Sequence, residues 1–335
     1  MSLVIDGLVK RFGPVVALDG ISFAVPAGGV FGFLGANGAG KTTTMRIVLD
    51  ILRPDAGVAT WEGRPTHELP RRTWGYLPEE RGLYSRMEVL EQLLFFARLY
   101  GIPADRAERD ARAWMTRFRV TEYAERKAEE LSKGNQQKVQ FIAALLHDPD
   151  VLLLDEPFTG LDPVNVAILK EALLELRDRG KTLVFSTHQM EAVEEMCEEV
   201  AIIDRGKVVI SGPIATVRQS TGRRVIRLAV DGGDLDWLDA HQGVRSRHSG
   251  RDYVELAVDR EVDPESILHQ ALARGCRVLH FEIADRSLAE VFIEKVGRPA
   301  DEGESHLAPA AGPGSLGSTA APGPAGPAGH AEDAA

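Results

Sequence analysis

Cysteine is scarce in this 335-residue sequence. Cys197 and Cys276 are the only two, too few for a disulfide framework and in keeping with a reducing cytosol. An unbroken apolar stretch long enough to cross a bilayer is also missing. The uncharged run from Gly20 to Gly40 holds seven glycines and Pro26, whereas a spanning helix needs about 20 predominantly apolar residues. Asp6 and Lys10 interrupt the place where the apolar centre of a signal peptide would sit, so none is expected. Positive charge is in deficit: 39 Lys and Arg against 50 Asp and Glu leave a net charge of −11. That balance argues against nucleic acid as a partner, since a broad footprint needs clustered Lys and Arg. There is no internal repeat. What is present is globular in balance, 44% hydrophobic and 27% charged, at a length that suits two domains of roughly 100–200 residues.

Along the chain, short strands are predicted at Leu3–Ile5 and Ile21–Val25. Val30–Leu34, Val151–Leu154 and Thr182–Ser186 are apolar throughout or nearly so, the mark of strands buried on both faces of a parallel sheet. Helical spacing covers Lys41–Leu52, residues 86–119 with a break at Gly101-Ile102-Pro103, and Val164–Arg179. The strand–helix–strand order from Val151 to Ser186 implies a crossover and hence parallel pairing. Beyond about residue 210, strands are expected at Val225–Val230, Val244–Ser249, Tyr253–Val258 and Cys276–Glu282, with a turn at Ser249-Gly250-Arg251. Helices at about 264–274 and 287–296, with a short one near 235–241, give a β-α-β-β-α-β order that resembles a small ferredoxin-like unit. From residue 299 onward, 24 of 37 residues are Ala, Gly or Pro; such a tail cannot offset its ordering entropy by burial and is expected to be disordered.

Gly35-Ala36-Asn37-Gly38-Ala39-Gly40-Lys41-Thr42 matches G-x-x-x-x-G-K-[ST], with a buried strand before it and a helix after it. In such a loop glycines let backbone N–H groups surround phosphates at a helix N-terminus. Lys41 is expected to reach the β- and γ-phosphates of ATP and Thr42 to ligate Mg²⁺, with Thr43 adding a phosphate hydrogen bond. Asp155 ends a buried strand, where a magnesium-binding acid belongs. Glu156 follows it, and side chains alternate along a strand, so the two carboxylates can divide the roles of metal ligand and general base.

With these motifs in place, Leu131-Ser132-Lys133-Gly134-Asn135-Gln136-Gln137-Lys138, 24 residues before Asp155, resembles the signature of ATP-binding cassette (ABC) ATPases. The resemblance spans roughly residues 2–215. It implies an α/β fold: a RecA-like, parallel-sheet core of the P-loop NTPase kind, an antiparallel β subdomain near the N-terminus and a helical subdomain over about 80–145. The expected division is a cassette at 1–215, a small α+β accessory domain at 216–298 and the tail at 299–335. The family further implies two cassettes closing head to tail on two ATP molecules, so that Ser132 and Gly134 touch the γ-phosphate on a second copy and the chain works as a homodimer. Matched singly, Phe12 stands where an aromatic ring stacks on adenine, Asp162 in the loop that communicates between the sites, and His188 where a histidine meets the γ-phosphate. Two departures accompany these matches. Glu79 replaces the usual glutamine after Gly75-Tyr76-Leu77-Pro78, keeping an oxygen for Mg²⁺ or water but adding a charge that Arg81 or the metal is expected to offset. Lys133 and Asn135 replace the usual glycine and glutamine of the signature.

The reading these residues favour is the ATP-hydrolysing subunit of an ABC transporter. It would be peripheral on the cytoplasmic face of the membrane and docked on a separate membrane permease. The stretch from Gly75 to Tyr84 with the Lys-Gly-Asn signature resembles exporter-type subunits of the sodium- and drug-efflux groups. Of the apolar cluster Leu83, Tyr84, Met87, Leu93, Phe95 and Phe96, most reads as core and the remainder as a surface for the permease. The competing reading is an ABC ATPase acting on ribosomes or DNA. A single phosphate loop, and a spacing of only 114 residues from Lys41 to Asp155, count against it. In a third reading, compatible with the first, the C-terminal unit senses or dimerises.

Overall fold

The structure is a computed structural model that describes residues 2–80, 82–249 and 253–297. Arg81, the Gly250-Arg251 part of the expected turn and the tail from 299 lie outside the described residues. The N-terminal third runs β1 (Ser2–Phe12), β2 (Val15–Pro26), β3 (Val30–Leu34), α1 (Lys41–Val48), β4 (Ala56–Trp61), β5 (Arg64–Pro65) and β6 (Trp74–Leu77). Then come α2 (Val89–Leu99), α3 (Ala104–Arg117), α4 (Lys133–Leu145), β7 (Val151–Asp155), α5 (Pro163–Asp178), β8 (Thr182–Thr187), α6 (Met190–Met196), β9 (Glu199–Asp204), β10 (Lys207–Pro213) and α7 (Ile214–Gln219). The chain ends with β11 (Arg223–Asp231), β12 (Val244–Ser249), β13 (Val254–Asp259), α8 (Pro264–Ala273), β14 (Arg277–Ala284) and α9 (Leu288–Val296).

Three sheets result. The central one has six strands in the order β10-β9-β3-β8-β7-β6, parallel from β9 to β6 and antiparallel at the β10 edge. Its apolar strands alternate between two cores, as the period of two requires. Phe31, Phe33, Val151, Leu153 and Val184 face one core, together with α1 and the N-terminal sheet β2-β1-β4-β5. Val30, Leu34, Leu152, Leu154, Leu183 and Phe185 face the other, against residues of α2 to α6. A strand with a core on each side has no polar face, so the continuous apolar runs in the sequence are explained.

The C-terminal sheet has the order β12-β13-β11-β14, antiparallel throughout. The short helix expected near 235–241 is a single 3₁₀ turn, Asp236–Ala240. One face of this sheet builds a third core with Leu238, Ile267 and Ala271. α9 does not belong to that core: Leu288, Val291 and Phe292 are fully buried in the same core as α6 and α7 residues Val193, Met196, Ile214 and Val217. Ser287 caps α9 by accepting from the Glu290 N–H at 3.2 Å, and Glu290 reciprocates to the Ser287 N–H at 2.8 Å.

Two expectations need correction. α1 stops at Val48 rather than Leu52, because the chain turns there with Asp50 at φ 53°. The aromatic cluster is not mostly core: of its six members only Leu93 is buried. Tyr84 is 53% exposed, and its ring stacks on Phe96 at 5.8 Å and meets the edge of Phe95 at 5.9 Å. Helical spacing identifies an apolar face but not how deeply it is covered. Among the described residues no helix is long and apolar enough to cross a membrane.

Candidate functional site

The loop between β3 and α1 is pressed between the β2 and β9 ends of the fold. A Cβ on Gly35 would stand 2.5 Å from the Ile203 carbonyl oxygen. Gly40 has φ 113°, and a Cβ there would stand 2.8 Å from the carbonyl oxygen of Ala17. Only glycine fits both places, so this backbone is shaped by its surroundings. Around it lies a cleft of about 320 Å³, lined by the loop from Asn37 through Gly38 and Gly40 to Thr43, with Ala17, Glu79, Asp155 and Glu156.

Four of the expected residues meet at the floor. Lys41 is buried, donates from Nζ to the Gly35 carbonyl oxygen at 2.7 Å and stands 3.8 Å from Glu156 Oε1. Burial draws its pKa below the usual lysine range, while the charges of Glu156, Asp155 and Glu79 work in the opposite direction. The Thr42 hydroxyl donates to Asp155 Oδ2 at 2.6 Å. Glu156 receives the Thr187 hydroxyl on Oε2 at 3.1 Å and bonds His188 Nδ1 through Oε1 at 3.0 Å. An ionised carboxylate only accepts, so Nδ1 carries the proton of that bond and Nε2 is the ring's other hydrogen-bonding atom. The Glu156 backbone has φ 48°, a left-handed conformation that costs about 1–2 kcal/mol in a residue with a Cβ. Its N–H donates to the Ser186 carbonyl at 3.0 Å, which holds it there.

Glu79 is exposed on the chain just beyond β6. Partial burial, then the negative charges of Asp155 and Glu156, push its carboxyl above the usual range, with Lys41 opposing. The expected charge crowding is therefore present. The offsetting group within the described residues is Lys41, and the Arg81 expectation falls outside them.

Among the described residues, Phe12, Ser132, Gly134, Asp162 and His188 do not line this cleft. Phe12 is 47% exposed, with Lys10 Nζ 5.6 Å from its ring centroid, so it is not a core aromatic. Ser132 is the N-cap of α4 and accepts from the Asn135 N–H at 3.3 Å. Ser132 and Lys133 are exposed. Gly134 lies against the loop that leads to Asp162: a Cβ on it would stand 3.3 Å from the Gly160 carbonyl oxygen. Asp162 itself caps α5, accepting from the N–H groups of Val164 and Asn165 at 3.0 Å each. Those bonds, chiefly that from Asn165, keep its carboxyl below the usual range.

Three residues of this assembly escape the sequence reading. Ser186 donates its hydroxyl to Asp155 Oδ1, Thr187 serves Glu156, and Ala17 lines the cleft. The available signal was polarity: two hydroxyl residues close a buried apolar strand directly before His188.

A family model described as "ABC transporter" matches residues 18–159, and one described as "ATP-binding protein DrrA1-3-like, C-terminal domain" matches 212–296. The uncharacterized ABC transporter ATP-binding protein YhaQ of Bacillus subtilis is 44% identical over 295 residues, covering 88% of this chain and 98% of its own length. The Nod factor export ATP-binding protein I of Burkholderia lata is 35% identical over 297 residues, covering 86% of this chain and 95% of its own. A solved ATP-binding subunit of an ABC transporter superposes with a TM-score of 0.62 at 29% identity, over 66% of this chain and 94% of that one.

Proposed function

Because the chain belongs to the ATP-binding proteins of ABC transporters, a family of nucleotide-binding ATPases, we propose that it hydrolyses ATP as a homodimer to drive export through a separate membrane permease. The observation that carries this reading is the convergence of Lys41, Thr42, Asp155 and Glu156 in one cleft, with His188 on Glu156. Glu156 takes the proton of the attacking water as its oxygen bonds to the γ-phosphorus and the bridging oxygen leaves with ADP. Thr187 and His188 fix the carboxylate for that task, and Lys41 offsets charge on the β- and γ-phosphates. The Thr42 hydroxyl and the Asp155 carboxylate, 2.6 Å apart, are the hard oxygen donors that suit Mg²⁺, and Glu79 is the third candidate. Bound there, Mg²⁺ would neutralise phosphate charge. Phe12 takes the adenine, and Ser132 and Gly134 cap the γ-phosphate held by the second copy.

In this reading residues 1–215 form the cassette and 216–298 an accessory unit, and the chain works at the cytoplasmic face of the membrane. Export is favoured by the likeness to the Nod factor export protein over most of both chains. The test is co-purification of the chain with its permease, followed by ATPase assay and size analysis of the Glu156→Gln variant. An ATP-dependent dimer supports the proposal. A strictly monomeric variant with ATP and Mg²⁺ bound, permease present, refutes it.

A further inference from the structure

The Pro78-Glu79-Glu80 turn is tied down from outside the phosphate cleft. Gln140 lies in α4, 5% exposed, and its Nε2 donates to the Pro78 carbonyl oxygen at 3.3 Å and to the Glu80 carbonyl oxygen at 3.2 Å. These are the carbonyls on either side of Glu79. Carbonyls only accept, so the amide must turn Nε2 toward them. Its Oε1 is then left buried with no hydrogen-bond partner among the described residues. A half-satisfied buried amide costs free energy that Leu or Met at this position would not. What the amide provides is a two-point clamp on the backbone that carries Glu79. The helix supplying that clamp starts at Ser132, eight residues earlier and about 12 Å along the axis at 1.5 Å per residue. A neighbouring tie runs from Gln137 Nε2 to the Pro157 carbonyl at 3.5 Å, just past Glu156. One helix thus touches the backbone next to both Glu79 and Glu156.

We propose that Gln140 is a positioning residue for Glu79, setting from α4 where that carboxylate stands over Asp155 and Glu156. The inference rests on the reading of Glu79 as part of the ATP site, so the test measures both. Steady-state ATPase kinetics of the full chain are compared for wild type, Gln140→Met, Glu79→Ala and the double variant. Methionine keeps the volume and removes the donor. Gln140→Met should lower kcat about tenfold with KM for ATP within about twofold and the melting temperature within a few degrees. Gln140→Asn, which keeps an amide but is too short to span both carbonyls, should fall between it and wild type. In the Glu79→Ala background, Gln140→Met should cost less than about twofold. Equal losses in both backgrounds overturn the proposal, because the clamp then acts without Glu79. Wild-type turnover by Gln140→Met beside a slow Glu79→Ala overturns it while leaving Glu79 in the site. Wild-type turnover by Glu79→Ala itself removes the reading of Glu79, and the inference with it.

Discussion

Two helices of this chain start at sequences suited to phosphate, and their surroundings differ. α1 opens on a buried lysine, and Lys41 and Thr42 are held by the Gly35 carbonyl, Glu156 and Asp155. α4 opens on Ser132 and Lys133, both exposed, and the Ser132 hydroxyl serves only as the helix's own cap among the described residues. The first site is preorganised for charge by groups of one chain. The second offers a helix N-terminus, a serine and the exposed Lys133, none of them braced by a carboxylate or buried loop among the described residues. In the homodimer proposed above, the first end on one copy is finished by the second end on the other.

That contrast can be broken most directly at Glu156. Glu156→Gln should cut phosphate release by about 10²–10⁴-fold while ATP still binds, and a turnover assay beside a nucleotide-binding titration checks it. Lys41→Ala should weaken ATP binding to the single chain by about 100-fold or more, since the braced end loses its cation. Ser132→Ala should leave that affinity within about twofold but slow hydrolysis, and lower stability by about 1 kcal/mol through the lost cap. Equal binding losses in Lys41→Ala and Ser132→Ala would erase the distinction between the two ends. The smallest effect concerns the far end of α4. His147, just after α4, is buried, stacks on Tyr100 at 3.8 Å and donates from Nε2 to the Trp74 carbonyl at 2.9 Å. Burial lowers its pKa below 6.5, with the Trp74 carbonyl opposing. The unfolded chain therefore binds the proton more readily. This contribution to stability is full above about pH 6.5 and declines as pH falls through that value. The melting temperature of wild type should drop more between pH 7 and 5 than that of His147→Gln.

The central sheet was legible because a strand with a core on both sides writes itself as an uninterrupted apolar run. The phosphate loop, Asp155 and Glu156 were legible because their spacing and flanks are demanding. Other features needed three dimensions. Ser186 and Thr187 look like an ordinary strand end until the sheet sets them beside the carboxylates of the next strand. Gln140 looks like one more polar helix residue, and only the packing of α4 on the Pro78–Glu80 turn gives it a partner. α9 was visible as a helix at 287–296. Sequence shows that a helix forms there, however, not which core covers it.

That last point has a topological consequence. α7 and α9 both pack into the core that lies under the central sheet with α6, and the Arg218 side chain of α7 donates to the carbonyls of Asp285 and Arg286 at 3.0 and 2.7 Å. The segment from β11 to β14 therefore lies between two helices that share one core, and Arg218, Gln219 and Arg223 tie its two ends together. Cutting the chain at residue 217 and excising only that segment behind a short linker are different operations. The first strips Leu288, Val291 and Phe292 from the core they share with α6 and should lower the melting temperature of what remains, whereas the second lets α9 keep its seat.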